Sequence, residues 1–459
     1  MKLYNTMSRQ KEEFVPVNPG KISLYACGPT VYNYFHIGNA RAFIFFDVVR
    51  RYFEYLGYDV TYVQNITDID DKIITKSIEE AKPFGEIADK YAQAFLDDCR
   101  ALGIRSPNVQ PRATEVMPEI IALIAKLVEK GYAYESEGDV YFAANSLPEY
   151  GNLSGKKIDE QLAGARVEEN LRKKHPADFT LWKKSKPGEP VWQSPWGEGR
   201  PGWHSECVVM SQKYLGETFD IHGGGVDLVF PHHENELAQA RALSGKPLAN
   251  YWMHNGFLNM EGEKMSKSLG NFFTAREILD QYSAESIRFF FLSKHYRSPI
   301  DFNRELIIES DKAVKNLYGA VRSILKTMPD RLDMIDIVAE TEFREAMDDD
   351  FNTAKAVAVL FDLARQARNE TMEETKRVIA AQTLLLLGGV LGFFSDAEKA
   401  IADSTPDLSR QLIDLILAYR LEARAEKNWA QSDRIRDDLA ELGIMIKDTK
   451  EGSTWSFKE

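Results

Sequence analysis

The run Lys264-Met265-Ser266-Lys267-Ser268, bounded by Gly262 and by Gly270-Asn271, sets two lysines three residues apart in a polar loop. Two mobile ammonium groups at that spacing suit a polyphosphate whose charge must be held while one phosphorus is attacked. A bare Lys-x-x-Lys pair is more often a solvated loop, but the whole pentapeptide is far more specific. A second candidate lies upstream, where Pro29-Thr30 is followed by His36-Ile37-Gly38-Asn39 and an apolar run from Ala40. A helix beginning there offers unpaired N–H groups to phosphates, and Gly38 would let a flat ring approach the backbone. His36 and Asn39, three apart, can both donate to phosphate oxygens or to charge developing on them. His-Ile-Gly alone is weak; beside a lysine loop it is strong.

Cys27, Cys207, His232 and Glu236 form a third group. His232 and Glu236 are four apart and so share a helix face, while the two cysteines are expected at strand or loop ends in two halves of one domain. Two thiolates, an imidazole and a carboxylate suit Zn²⁺. There is no Cys-x-x-Cys, however, and spacing alone leaves the cysteines readable as small buried hydrophobes. Cys99 keeps that plain reading. Gly223-Gly224-Gly225 with Asp227 is a flexible turn in most sequences but can also pass close to a nucleoside. In Asp68, Asp70 and Asp71, an N-cap at Thr67 or Asp68 with acids in the first helical turn accounts for much of the run. Near the end, Asn428 to Asp433 includes Trp429, with Arg424, Arg434, Asp448 and Gly452 around it.

These groups need a scaffold. Ile22 to Cys27 reads as a strand ending at Gly28-Pro29, Ala40 to Leu56 as a helix stopped by Gly57, and Val60 to Val63 as a second strand. Strand, helix, strand implies a parallel unit with its site at the carboxyl ends of the strands, where Cys27 and Gly28 fall. A helix over Pro111–Lys130 and a hairpin turning near Gly138 follow. Leu153 to Gly202 has no clean period, so about 111–202 reads as an insertion. Phe219 to Ile221 and a helix from about His233 resume the α/β pattern. Helices then fill Lys312–Met328, Glu340–Met347, Thr353–Arg368 and Glu373–Phe394, and a last unit starts with helices and ends extended on both sides of Gly452. The expected division is 1–310 for a Rossmann-like α/β domain, with the lysine loop and a stem-contact region in about 256–310, then 311–403 for an all-α bundle and 404–459 for a small α+β unit.

Length agrees, since 459 residues at roughly 150 per domain suggest about three. The chain carries 57 basic and 70 acidic residues, net −13, which excludes binding to nucleic acid by charge alone. The excess is uneven: residues 160–330 are neutral and residues 331–410 carry −7. A content of 44% hydrophobic residues excludes a disordered tail protein. Three cysteines cannot build a disulfide framework and point to a reducing compartment. With no apolar leader in MKLYNTMSRQKEEFVPV and no membrane-length apolar run, a cytoplasmic location is expected.

The lysine loop and the His36–Asn39 motif together resemble the paired signatures of class I aminoacyl-tRNA synthetases. Within that class, Tyr25-Ala26-Cys27-Gly28-Pro29-Thr30-Val31-Tyr32, Thr67 to Ile73, Gly202-Trp203-His204-Ser205-Glu206-Cys207 and Pro231-His232-His233-Glu234-Asn235-Glu236 look like the cysteinyl-tRNA synthetase family, from about Tyr4 to Trp455. Asn39 stands where the class signature has its last His, and that family uses either. The resemblance implies a monomer that uses L-cysteine, ATP with Mg²⁺, and tRNA(Cys). It implies one Zn²⁺ on Cys27, Cys207, His232 and Glu236, and catalysis by His36, Asn39, Lys264 and Lys267. ATP would contact His36, Gly38, Asn39, Gly224, Asp227 and Lys267. Cysteine would meet Trp203 as an aromatic wall, with Thr30 and His204 orienting its amino or carboxylate group. Arg424, Trp429, Asp433 and Asp448 would meet the anticodon, Trp429 by stacking and the acids by accepting from base donors. A metal selecting thiolate over hydroxyl would make proofreading unnecessary, in keeping with an insertion small for an editing domain. Three alternatives remain: a related ligase joining cysteine to an aminosugar, which should lack the C-terminal unit, a zinc hydrolase, for which Leu237 spoils His-Glu-x-x-His, and a purely RNA-binding helical protein, which leaves the phosphate motifs idle.

Overall fold

Ile22, Leu24, Tyr25 and Ala26 are all buried, as a strand covered on both faces requires. They belong to the strand Lys21–Ala26, which pairs in parallel with Asp59–Gln64 on one side and Phe219–Gly225 on the other; Ala249–Asn255 completes the sheet beside Phe219–Gly225. The computed structural model describes residues 1–156, 172–260, 263–264, 273–325, 334–395, 407–449 and 452–457. They fall into two units, Met1–Ser395 and Asp396–Glu459.

The helix Ile37–Tyr55 lies against this sheet because its apolar positions, among them Ile37, Ile44, Phe46, Val48 and Val49, are buried. It begins three residues before the expected Ala40. The parallel unit is therefore present as read, with Gly57 at φ +87° ending the helix region.

Between the second and third strands of the sheet the chain makes the insertion. Its helix Met117–Glu129 is followed by four antiparallel strands in sequence order, Ala133–Ser136, Asp139–Phe142, Phe179–Lys184 and Gly199–Pro201. The last two lie in the stretch that shows no period. Gly199–Pro201 has only three residues, two of them Gly and Pro, and Phe179–Lys184 finds its partner Asp139–Phe142 remote in the chain. The insertion is pinned to the rest through Asp71, which pairs with Lys183 at 2.7 Å and with Arg200.

The helical part comprises Arg304–Leu325, Ile337–Asp348, Thr353–Arg368 and Glu374–Val390. The first of these runs across the expected division at 310. Asp350, fully buried, joins this part to the α/β part: it accepts from the Tyr4 amide at 2.8 Å, the Tyr296 hydroxyl at 2.8 Å and Arg297 Nε at 2.9 Å. Taken by itself, the second unit consists of the helices Asp407–Ala425 and Trp429–Glu441 and a hairpin pairing Ile444–Thr449 with Gly452–Phe457, over a core of Ile413, Leu417, Leu439 and Ile444. Among the described residues no helix is long and apolar enough to cross a membrane.

Candidate active site and metal centre

Cys27 follows the central strand directly, at the carboxyl end where a parallel sheet opens its crevice. Cys207 comes from inside the helix Trp203–Leu215, not from a strand or loop end as expected. His232 lies in the turn Val229–His233, and Glu236 in the first turn of the helix Glu234–Ser244. One donor atom from each of the four falls within 4.8 Å of the others, and all four residues are buried. Cys27 Sγ is 3.9 Å from Cys207 Sγ and 3.7 Å from Glu236 Oε1; His232 Nε2 is 3.6 Å from Cys207 Sγ and 2.8 Å from Glu236 Oε1.

The groups of this cluster act strongly on one another. A hydrogen bond from Cys27 draws the Cys207 thiol down to about 6 against the opposing effect of burial. Burial and the neighbouring Cys207 push Cys27 up. Burial would lower His232, but the Glu236 charge together with hydrogen bonds to Cys207 and Glu236 outweighs it and raises the imidazole to about 10. Two sulfurs, a nitrogen and a carboxylate oxygen converging without solvent are the donor chemistry of a tetrahedral Zn²⁺ site, and the arrangement fits that ion.

The spacing arguments missed the other histidines. His233 Nε2 is 3.2 Å from Cys27 Sγ, and its Nδ1 is 2.8 Å from His254 Nε2. His222 Nε2 is 2.6 Å from Glu236 Oε2, so Cys27, His222, His233 and Glu236 form a second, overlapping donor group. One signal was available, since five of the eight histidines fall between positions 204 and 254. His204 was expected at the substrate. It lies against His232, Nδ1 to Nδ1 at 2.9 Å, and is held down to about 3 by burial.

The cluster opens onto a cleft of about 280 Å³ whose walls include Cys27, Thr30, His36, Gly38, Asn39, Trp203, Gly224 and Asp227. Trp203 is 36% exposed and faces the cleft, so it is not a core residue. His36 caps the helix Ile37–Tyr55: its Nδ1 accepts from the Asn39 amide at 3.2 Å. A Cβ on Gly38 would lie 2.9 Å from that Nδ1, so glycine here makes room for the imidazole itself. Gly223 to Gly225 are strand residues paired with Met253 to Asn255, not a flexible turn. A Cβ on Gly224 would lie 3.0 Å from His233 Cε1, so the glycine lets that histidine close on the sheet. Asp227 is exposed at the cleft.

Lys264 lies in the two-residue strand Glu263–Lys264, paired with Leu258–Met260; Lys267 lies outside the described residues. That arm springs from Gly256–Phe257, whose carbonyls accept from the buried Arg41 guanidinium at 2.7 and 2.9 Å. The acids of the 68–71 run are structural. Asp68 accepts from Thr114, Asp71 holds the insertion, and Asp70, not Thr67 or Asp68, is the N-cap of the helix Asp71–Glu80. In the second unit Trp429 is 57% exposed and not a core residue. Asp433, one turn on, is exposed too, and Arg424 is half-buried. Asp448 is placed in the hairpin strand Ile444–Thr449, its side chain lying outside what is described.

A parallel sheet with its crevice at the carboxyl ends, a helix opened by His36-Ile37-Gly38-Asn39 and a lysine arm beside it define a class I aminoacyl-tRNA synthetase. Residues 13–312 match the family model for the tRNA synthetases class I (C) catalytic domain, 342–395 the DALR domain, and 405–455 the Cysteinyl-tRNA ligase anticodon binding domain. The chain is 48% identical to a cysteine–tRNA ligase of Geobacter metallireducens, covering 100% of both chains, and 50% identical to one of Carboxydothermus hydrogenoformans, covering 99% of both. It belongs to the cysteine–tRNA ligase family. The fold is also that of Mycobacterium tuberculosis methionyl-tRNA synthetase in complex with methionyl-adenylate, at TM-score 0.58 and 14% identity over 86% of this chain and 94% of that one.

Proposed function

We propose that this chain activates L-cysteine with ATP and transfers it to the 3′ end of tRNA(Cys), with one Zn²⁺ held by Cys27, Cys207, His232 and Glu236. The observation that carries this is the juxtaposition of a buried four-donor cluster with a cleft that also contains a helix N-terminus. The cluster supplies the distinction between cysteine and serine, because a soft ion takes a thiolate far more readily than a hydroxyl.

In the first step a cysteine carboxylate oxygen attacks the α-phosphorus of ATP, and the bond to the β-phosphate oxygen breaks to release pyrophosphate. No general base is required, since the nucleophile is already ionised; positioning and charge stabilisation do the work. His36, Asn39, Lys264 and Lys267 carry that stabilisation, and Mg²⁺ accompanies the nucleotide. Gly38, Gly224 and Asp227 line the part of the cleft that takes the nucleoside, with the exposed Asp227 placed to accept from it. In the second step a ribose hydroxyl at the tRNA 3′ end attacks the activated carbonyl, and AMP leaves. Trp203 and Thr30 wall the amino-acid pocket, while His204 acts through His232: kept neutral by burial, it accepts the Nδ1 proton of His232 and leaves Nε2 for the metal.

In the second unit Arg424, Trp429, Asp433 and Asp448 read the anticodon, with the exposed Trp429 as stacking platform. The division into 1–310, 311–403 and 404–459, a monomeric state and a cytoplasmic location complete the reading. The match of residues 405–455 to an anticodon-binding domain disfavours the aminosugar ligase. The test is cysteine-dependent exchange of pyrophosphate into ATP with serine as control, followed by charging of purified tRNA. Exchange without charging would favour the aminosugar ligase, and serine exchanging as well as cysteine would overturn the metal's role. Lys267→Ala should lower exchange while leaving zinc bound.

A further inference from the structure

Lys72 is the single Lys or Arg among the described residues that line the cleft. It is exposed, and among the described residues no carboxylate forms an ion pair with it. Its acidic neighbours are engaged elsewhere. Asp70 Oδ1 accepts from the Lys72 backbone amide at 2.9 Å, and Asp71 is held by Lys183 and Arg200. The ammonium stands 5.2 Å from the centre of the Tyr32 ring, itself part of the cleft wall. A cation aimed into a substrate cleft without an acid partner is placed to meet an anion that arrives with a ligand.

The sheet order says which anion. Lys72 follows the strand Asp59–Gln64, which is at the opposite edge of the sheet from Ala249–Asn255. With strands about 4.8 Å apart, the Asp59–Gln64 end of the crevice is about 10 Å from the glycine strand that ends at Gly225. In the function proposed above, the nucleotide lies over that glycine strand and cysteine over Cys27, at the centre. The acyl acceptor must reach the carbonyl carbon from the side that the nucleotide leaves open. That is the side of Tyr32 and Lys72, and the acceptor brings phosphodiesters with it.

We propose that Lys72 holds a backbone phosphate at the 3′ end of the tRNA during transfer, and takes no part in activation. The inference rests on the ligase reading, and two steps measured separately keep the two apart. Full-length, zinc-loaded Lys72→Met and Lys72→Arg proteins are compared with the unaltered chain in pyrophosphate exchange and in single-turnover transfer from preformed adenylate to tRNA. For Lys72→Met, transfer at subsaturating tRNA should fall about tenfold, the size of one charge-assisted contact, with exchange within about twofold of the unaltered chain. Lys72→Arg should recover most of the loss. The dependence of log affinity on log salt should become shallower by about 0.7 in Lys72→Met, as for one phosphate on a single strand. Exchange falling as far as transfer would place Lys72 on the cysteine carboxylate or the ATP phosphates and overturn the proposal. Transfer unchanged in Lys72→Met would overturn it as well. Absence of cysteine-dependent exchange in the unaltered chain would overturn the ligase reading and this inference together.

Discussion

The indole of Trp203 lies flat on the imidazole of His232, their centroids 3.9 Å apart and their planes 16° from parallel. One face of the metal-ligand candidate is therefore packed by a cleft residue, and its Nδ1 is fixed by His204. Trp203→Ala should free the His232 ring and open the pocket. An aromatic pair is worth about 0.5–1.5 kcal/mol beyond its buried area, so the KM for cysteine in exchange should rise roughly two- to tenfold, with zinc lost more readily on dialysis. Trp203→Phe should retain most of both. An unchanged KM in Trp203→Ala would mean that the indole neither walls the substrate nor steadies the ligand.

Metal removal should separate the site from the fold. Two of the four donors, Cys27 and Cys207, belong to a large apolar core that includes Tyr25, Val63, Phe219 and Trp252 and does not depend on the metal for its packing. Chelation should therefore strip one zinc per chain and abolish exchange while far-UV circular dichroism stays near its starting value; added Zn²⁺ should restore activity. Cys207→Ser should weaken zinc by more than about 100-fold, since even loss of an outer partner costs 10- to 100-fold. Elemental analysis of dialysed protein reads this directly, and full zinc occupancy in Cys207→Ser would remove Cys207 from the ligand set.

What could be read from the chain divides by sequence distance. The helix Thr353–Arg368 was bounded to the residue, because its apolar period is local. The strands of the parallel pair and the helix between them were local signals too, though the helix start fell three residues late. Cys27 and Cys207 are 180 residues apart, and no spacing rule joins them; family resemblance did. The insertion's first hairpin, turning near Gly138, was legible, whereas Phe179–Lys184 and Gly199–Pro201 were missed because they lie in a stretch without a period and pair with residues remote in the chain. His222 and His233 were missed because one looked like the start of a glycine turn and the other like a neighbour of His232. Their meaning lies in packing around Cys27, which is a property of the assembled sheet.

Asp71 gives a pH test away from the metal. Burial raises its carboxyl, but the hydrogen bond from Lys183 and the charge of Arg200 outweigh that and hold it below the usual range. A carboxylate with a depressed folded-state pKa contributes stability above its unfolded value, about 3.9, and loses it as pH falls through the folded value. Asp71→Asn should lower stability at pH 7 by about 0.5–1 kcal/mol, kept small by its solvent exposure. Below about pH 4 the gap should close as the native carboxyl takes up its proton. Urea midpoints at pH 7, 5 and 3.5 read the trend, and a gap that widens toward acid would reverse the assigned sign.

Gly223 tests how tightly the signature helix is set on the sheet. A Cβ there would clash with the Cζ and Cε1 edge of the ring of Phe46, a fully buried residue of the helix Ile37–Tyr55. The strand cannot retreat, because Gly223 is paired with Met253 on one side and Ala26 on the other, and its carbonyl accepts from the Cys27 amide at 3.1 Å. Gly223→Ala must therefore displace Phe46, and overpacking of this kind costs about 1–3 kcal/mol. The helix that shifts carries Asn39 at its start, and the strand carries the neighbour of Cys27, so exchange should show higher KM values for both ATP and cysteine. Phe46→Leu in the Gly223→Ala background should recover part of the stability and of both KM values, because the two groups occupy the same space and their effects are not additive. Urea midpoints for the four proteins of this double-mutant cycle give the coupling, and strictly additive losses would show that Phe46 is not what glycine accommodates.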